Sequence, residues 1–312
     1  MAIGKTNIGG GSGGSGGTLT VTAPANVTVA VSKDGKTKTK NSGTSGVVVF
    51  KGLASGTWTV TITGDGKTAQ KNVVITTDYS TAISFSTIPE FTYTGDYEIV
   101  NDSDEPITVS QGNWKIRFLT SGTLTFTNLN GAEGGIDVFL VGGGGNGGTR
   151  NWNPDSEIQM HGAGGGGGYT KTQKNITITV GTAYTITIGG NTGTTKAFNL
   201  SASGGANAYG ASRGWENGGN GGSGGGATNG SGGTNGGNGT VSGFGTAGTG
   251  QRTTTREFGE ENGRLYASGG NGNKTNSTVA NSGNGADGRS TDDPSTSQNP
   301  GASGIVVIRN KR

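Results

Sequence analysis

Between residues 218 and 250, 17 of 33 positions are glycine and none is proline, and the opening GGNGGSGG sets Gly-Gly-x in register. This repeat constrains the fold more than anything else in the chain. Glycine inside a helix or strand costs roughly 0.5–1 kcal/mol relative to alanine, so a run of it builds neither element well. A polyproline II-type helix has three residues per turn and no internal hydrogen bonds, so its N–H and C=O groups must find water or neighbouring chains. Gly-Gly-x gives such a helix two bare edges and one decorated edge. Several of them can pack side by side, with weak Cα–H···O contacts of about 0.5–1 kcal/mol each adding to the backbone bonds. Similar clusters stand at 142–148, 164–168 and 269–272. The plainer reading is a flexible Gly/Ser/Asn linker. Flanking strand-like runs and the interspersed Tyr209, Trp215, Phe244, Phe258 and Tyr266 favour order. The short register and missing proline exclude collagen.

Composition narrows the function. Glycine accounts for 68 of 312 residues and hydrophobic residues for 28%, so one large apolar core is not expected. The chain has no cysteine and one histidine, His161. That removes disulfides, thiolate metal sites, cysteine nucleophiles and histidine-rich metal motifs. No apolar run approaches the roughly 20 residues of a membrane helix, and MAIGKTNIGG has no apolar core of a secretory signal. Neither membrane insertion nor secretion by signal is expected. A net charge of +3 is weak grounds for nucleic-acid binding, and none is expected.

Charge divides the chain into blocks of +5 (1–87), −6 (88–141) and +4 (142–312). Residues 1–17 read as a short attachment peptide with a Gly/Ser spacer. Over 18–87, TLTVTA, NVTVAVS, GVVVFKG, GTWTVTIT, KNVVITT and STAISF alternate β-branched or aromatic residues with polar ones, the mark of half-buried strands. Asp34-Gly35 and Asp65-Gly66 lie between such runs and suit tight hairpins. About seven strands in seventy residues predict a small β-sandwich with Trp58 in its core. Residues 88–141 form a second β-rich segment, where Trp114, Ile116 and Phe118 alternate, as do Leu124 and Phe126. NITITV and AYTITIGG read as a strand pair about Gly181. GIVVIR, within the closing strand 304–309, is expected to join the sheet of IDVFLV, making 142–312 a glycine-rich domain largely inserted between the two. The fold class expected is all-β.

Gly46 to Ile62 resembles a recurrent phrase of immunoglobulin-like modules related to the carboxypeptidase regulatory domain, which serve as spacers or adhesive units. IDVFLVGGGG, GAGGGGGYTKT, ITVGTAYTITIGG and GASGIVVIR together resemble the glycine-rich domain of bacteriophage tail proteins, over roughly residues 113–312. This sequence departs from that pattern at the proline-free Val180-Gly181-Thr182 and in the long polar stretch 251–300. The resemblance implies polyglycine helices packed into a sandwich that carries receptor-binding loops at its far end. It also implies a virion location, other virion proteins as partners of the N-terminal region, and a homotrimer as in many fibres.

Several motifs have cheaper explanations. Gly142-x-Gly144-x-x-Gly147 follows a strand as a dinucleotide loop would, but no amphipathic helix follows it. Gly-Lys-Thr occurs at Gly4, Gly35 and Gly66. The inner copies lack the glycine five positions earlier that a phosphate loop needs, and the first lies too near the start. Asp102, Asp104 and Glu105, or Asp292-Asp293, could hold calcium, although turn chemistry accounts for them too. No metal or cofactor is expected. Glu260-Glu261 lacks the supporting cleft in which a glycosidase sets two carboxylates about 5–10 Å apart.

Aromatic residues on polar loops are the better candidates. Trp152 in RNWNPD, Tyr209, Arg213 and Trp215 in NAYGASRGW, and Tyr266 after Arg264 suit stacking on a sugar or gripping a surface protein, with His161 on a neighbouring loop. The competing role is to plug gaps between glycine helices and sheet, which suits Phe244 and Phe258 better. The expectation is a non-enzymatic virion protein, a tail-tip or fibre-associated adhesin that binds a bacterial surface glycan or protein through these residues. The alternatives are a capsid-decorating or head-fibre protein, a surface-glycan hydrolase, and an ice-binding glycine bundle.

Overall fold

The computed structural model describes residues 16–108, 112–149, 151–153, 158–210, 215–274, 278–290 and 297–312, with backbone alone at 151–153, 158–160 and 210. Apart from a 3₁₀ turn at Glu257–Gly259, the regular elements among the described residues are all strands. The fold is all-β. It divides into two compact units, Met1–Ser86 and Thr87–Arg312.

Among its described residues the first unit holds seven strands: β1 (Gly17–Thr22), β2 (Thr28–Lys33), β3 (Lys36–Asn41), β4 (Val47–Leu53), β5 (Gly56–Gly64), β6 (Lys67–Ile75) and β7 (Tyr79–Ala82). They form sheets of order β4-β1-β7 and β3-β2-β5-β6. The alternate apolar residues of these strands, among them Leu19, Val29, Phe50, Trp58 and Ile62, make one shared core. The Trp58 indole N–H donates to the Ala54 carbonyl at 2.8 Å, so its buried polar atom is satisfied. Asp34-Gly35 and Asp65-Gly66 both take positive φ at both residues, as the two-residue hairpin turn requires. At one open side, the Lys38 and Lys40 ammonium groups donate to the Lys51 and Val49 carbonyls of β4 at 3.1 and 2.7 Å. Lysines on an exposed edge discourage pairing with other chains.

The second unit begins with β8 (Glu90–Tyr93), β9 (Tyr97–Val100), β10 (Lys115–Phe118), β11 (Gly122–Asn128) and β12 (Ile136–Val141), and ends with β21 (Ile305–Asn310). Between them lie β13 (Asn151–Asn153), β14 (Ile158–Met160), β15 (Thr170–Ile176), β16 (Ala183–Ile186), β17 (Thr195–Ala197), β18 (Leu200–Ala202), β19 (Tyr209–Gly210) and β20 (Glu216–Asn217). A five-stranded sheet, β15-β12-β21-β10-β9, faces a three-stranded one, β16-β11-β8, across a core built on Trp114, Phe118, Phe126, Leu140 and Ile308. β21 lies antiparallel between β10 and β12, as the expected pairing of GIVVIR with IDVFLV requires. NITITV and AYTITIGG do not pair with each other, and only Asn175 and Ile176 of NITITV lie in a strand. β15 ends at Ile176 on the edge of the larger sheet, and β16 joins β11 in the smaller one. Gly181, with φ of +78°, turns the chain from one sheet to the other instead of closing a hairpin.

The glycine runs form an ordered lattice with a three-residue period. Gly142, Gly145 and Gly148 donate N–H bonds to the carbonyls of Tyr169, Gly166 and Ala163 at 2.7–2.9 Å. Gly162, Gly165 and Gly168 donate to Arg289, Ala286 and Gly283, Gly164 and Gly167 to Gly226 and Ser223, and Gly166 and Tyr169 to Ala206 and Ser203. The same run accepts from Gly219 and Gly222 and from Gly270 and Asn273. Run 162–169 is thus enclosed by the runs at 142–148, 203–206, 219–222, 223–226, 270–273 and 283–289. Partners recurring every third residue are those of a polyproline II-type helix, and adjacent edges of one helix serve different neighbours. The packing leaves no room for side chains at the glycines: a Cβ on Gly143, Gly145, Gly164, Gly166 or Gly167 would collide with a carbonyl oxygen of the next run.

Candidate functional site

The register of the lattice decides where its loops emerge. Residues 142, 169, 203, 283 and 304 lie at one end, continuous with β12, β15, β18 and β21 or bonded next to them. Residues 148, 162, 208, 217, 227, 246, 273, 289 and 299 lie at the other end, because each is paired with, or adjoins a residue paired with, the far end of run 162–169 or of a run bonded to it. At about 3.1 Å per residue, the seven steps from 162 to 169 span roughly 22 Å. The stems of the segments 149–161, 209–216 and 241–245 therefore share the end away from the sheets.

Trp152 sits in β13, opposite Gln159 of β14, and His161 directly precedes Gly162 at this end. Tyr209 begins the short β19–β20 ladder and is 52% exposed. The half-buried Trp215 ring stacks on Phe244, with centroids 4.1 Å apart and planes inclined by 33°. Phe244 is 61% exposed, which corrects the expectation that it fills a gap. Its flanking glycines explain the projection: Gly243 and Gly245 take φ of +88° and +98°, and the chain turns outward there. Beneath this pair, the buried Glu216 carboxylate accepts the Ala163 N–H at 2.9 Å, over the bare Cα of Gly148. The Thr228 hydroxyl donates to the Glu216 carbonyl at 3.3 Å. These bonds tie β20, and with it Trp215, to the rigid lattice. Arg213 lies outside the described residues.

Tyr266 does not belong to this face. It is 1% exposed and lies at the sheet end, 5.5 Å from the Phe139 ring, with its hydroxyl 3.4 Å from Glu257 Oε2. Burial and the Glu257 charge raise its pKa well above the usual phenol range. The residue is a packing element, because the outer face of the five-stranded sheet is covered by the segment that carries it.

That face also holds a group of charges. Asp137, Arg309 and Lys115 lie side by side across β12, β21 and β10, with Arg117 next along β10. Arg309 Nε donates to Asp137 Oδ2 at 3.2 Å, its Nη2 lies 2.7 Å from Glu260, and its guanidinium stacks 4.0 Å from the Phe258 centroid. Lys115 and Arg117 both bridge Asp104 and Glu257, at 2.5 Å to the former and 3.4 Å to the latter. A cleft of about 430 Å³ opens beside this network with Glu260 and Glu261 on its wall, which corrects the expectation that these two acids stand without a cleft.

Burial pushes the Asp104 carboxyl up, but the Lys115 hydrogen bond and the Arg117 charge outweigh it and hold it below the usual range. Asp102 is likewise held low, with bonds from Asn113 and Arg312 overcoming burial. The Arg309 hydrogen bond lowers Glu260. Carboxylates pinned in the ionised form are poor general acids, which must carry a proton near neutral pH. No group of three or more acids or histidines among the described residues is arranged to hold a metal. Asp292 and Asp293 lie outside the described residues.

The signal for this buried network was present in the sequence. Lys115 and Arg117, Asp137, and Arg309 each break an apolar strand on the face opposite its main-core residues. For Phe244, the signal was its place between two glycines in GFG.

Comparison with solved structures gives a DUF3823 family protein from Bacteroides ovatus ATCC 8483, at 12% identity and a TM-score of 0.22, over 55% of this chain and 79% of that one. A likeness that low carries no argument. The search of curated proteins gives no match. The model of the glycine-rich domain family matches residues 119–311, from the last residues before β11 through β21, and so takes in the lattice and most strands of the second unit. The chain belongs to the glycine-rich domain family.

Proposed function

We propose that this chain is a non-enzymatic structural protein of a bacteriophage particle, a tail-tip or fibre-associated adhesin whose lattice end grips the host surface. The N-terminal unit serves as an immunoglobulin-like spacer toward other virion proteins. The observation that carries the reading is the polarity of the lattice. One end is continuous with the sheets, and the other gathers the loop stems together with Tyr209 and the Trp215–Phe244 stack. A rigid rod cluster with exposed rings at its free end suits recognition, because the ordering entropy of the loops is partly met before contact. Aromatic faces among asparagine and threonine side chains fit sugar rings or a polar protein surface. The charge network in the cleft supports a structural role for the second unit, since its carboxylates are neutralised by cations.

The test is binding of labelled full-length protein to a panel of bacterial cells, with Trp215→Ala and Phe244→Ala alongside. Expected is saturable binding to at least one strain, weakened at least about tenfold by either substitution, in keeping with an interface anchor worth about 2 kcal/mol. Equal binding by wild type and both variants overturns the assignment of the face. Absence of binding to any host of the particle overturns the adhesin reading.

A further inference from the structure

Ten Asn-Gly pairs occur in the chain, and the lattice treats them unequally. In three of them the pair grips one residue of a neighbouring run at two points. Gly218 N–H donates to the Thr246 carbonyl at 3.0 Å while Thr246 N–H donates to Asn217 Oδ1 at 2.6 Å. Gly221 and Asn220 hold Thr249 in the same way at 3.0 and 2.8 Å, and Gly285 and Asn284 hold Ser268 at 2.8 and 2.9 Å. Asn146, Asn238 and Asn271 make the same two bonds to residues two apart: Asn299 and Gly301, Gly248 and Gly250, and Gly230 and Gly232. At Asn235 the partners are side chains, since Gly236 N–H donates to Ser223 Oγ and the Thr254 hydroxyl donates to Asn235 Oδ1. Asn130 is buried, with its amide donating to Glu90.

Asn229 and Asn262 differ. Both are exposed, and neither side chain is hydrogen-bonded among the described residues. The following N–H of each is held only inside its own turn, Gly230 to Ala227 at 2.5 Å and Gly263 to Glu260 at 2.9 Å.

We propose that Asn229 and Asn262 are sites of spontaneous deamidation, and that the two-point grip protects the other lattice asparagines. In this reaction the glycine nitrogen loses its proton and attacks the asparagine Cγ, and the side-chain nitrogen leaves as ammonia. Water then opens the five-membered imide to aspartate or isoaspartate. A glycine after the asparagine offers the least steric resistance to the attack. The attacking N–H and the Cγ amide must first turn toward each other. In the gripped pairs both are committed to another run, so the step waits for the lattice to open. At Asn229 and Asn262 the side chain is unbonded and the attacking N–H is held only within its own turn, so the step waits for a more local opening, which costs less. At position 262 the product places a new carboxylate on the cleft wall beside Glu260 and Glu261.

The experiment is incubation of the native full-length protein at mildly alkaline pH, with digestion at low pH and peptide mapping by mass spectrometry over time. Expected is conversion at Asn229 and Asn262 at least about tenfold faster than at Asn146, Asn217, Asn220, Asn238, Asn271 or Asn284. In urea-unfolded protein the ten pairs are expected to converge to similar rates. Native rates that are uniform overturn the proposal, as does a gripped pair that leads. Differences that persist unchanged in urea assign the pattern to local sequence and also overturn it.

Discussion

At Gly166, one added carbon would collide with the Asn220 carbonyl oxygen, and the Gly166 N–H is already committed to Ala206. Neither neighbour can yield without breaking its own bonds to a third run. Gly166→Ala is therefore expected to destabilise the second unit by roughly 3 kcal/mol, the upper range for overpacking a dense interior. Gly190→Ala is the control, since nothing lies within 4 Å of its Cβ position. It should leave stability unchanged or raise it by about 0.5 kcal/mol through the unfolded state. Urea unfolding of both variants checks the pair, and equal effects would mean that close approach does not set the need for glycine. The third position of Gly-Gly-x has its own rule. Asparagine recurs there because its amide oxygen stands in for a missing backbone acceptor on an adjacent run, as at Asn217 and Asn220.

At the scale of elements, the segment around Glu257–Tyr266 is held over β10, β12 and β21 by apolar and ionic contacts together. Phe258 and Tyr266 pack on Phe139, while Glu257 and Glu260 answer Lys115, Arg117 and Arg309. Asp102, Asp104 and Glu260 all have lowered folded-state pKa values. A lowered carboxyl pKa stabilises the fold above its unfolded value, about 4, and that contribution is lost as pH falls through the folded value. Thermal stability of the second unit is therefore expected to hold from neutral pH to about 5 and to fall below about 4. High salt should reduce it less than acid does, because Arg117 and Glu257 are buried. Calorimetry across pH measures this, and a flat profile down to pH of about 2 would show that the network does not hold the segment.

For the whole molecule, backbone pairing is not confined to regular secondary structure. The N–H groups of residues 164–169 are donated to three different partner runs, with no strand or helix among them. Backbone groups paired on every side exchange only when the assembly opens. Amide hydrogen exchange is expected to find 162–169 as protected as the β12 and β21 strands at the centre of the sheet. Fast exchange there would return the glycine runs to the status of linkers, and the proposed binding end would lose its rigid support.

Periodicity alone determined much of this protein. Alternation of two placed most strands of the first unit and β10 and β11 of the second, Asp-Gly pairs placed two hairpins, and Gly-Gly-x implied three-residue helices. Each is a local property, set by where successive Cα–Cβ bonds point and which φ values a residue tolerates. Partners at long range were not legible in that way. The placement of β15 and β16 in separate sheets, the burial of Tyr266, the exposure of Phe244 and the charge row of Lys115, Arg309 and Asp137 follow from which face of an element another element covers. A strand pattern says that two faces differ. What lies across from each face is decided only when distant segments close on it, and glycine, without a side chain, leaves no trace in the sequence of the run it will touch.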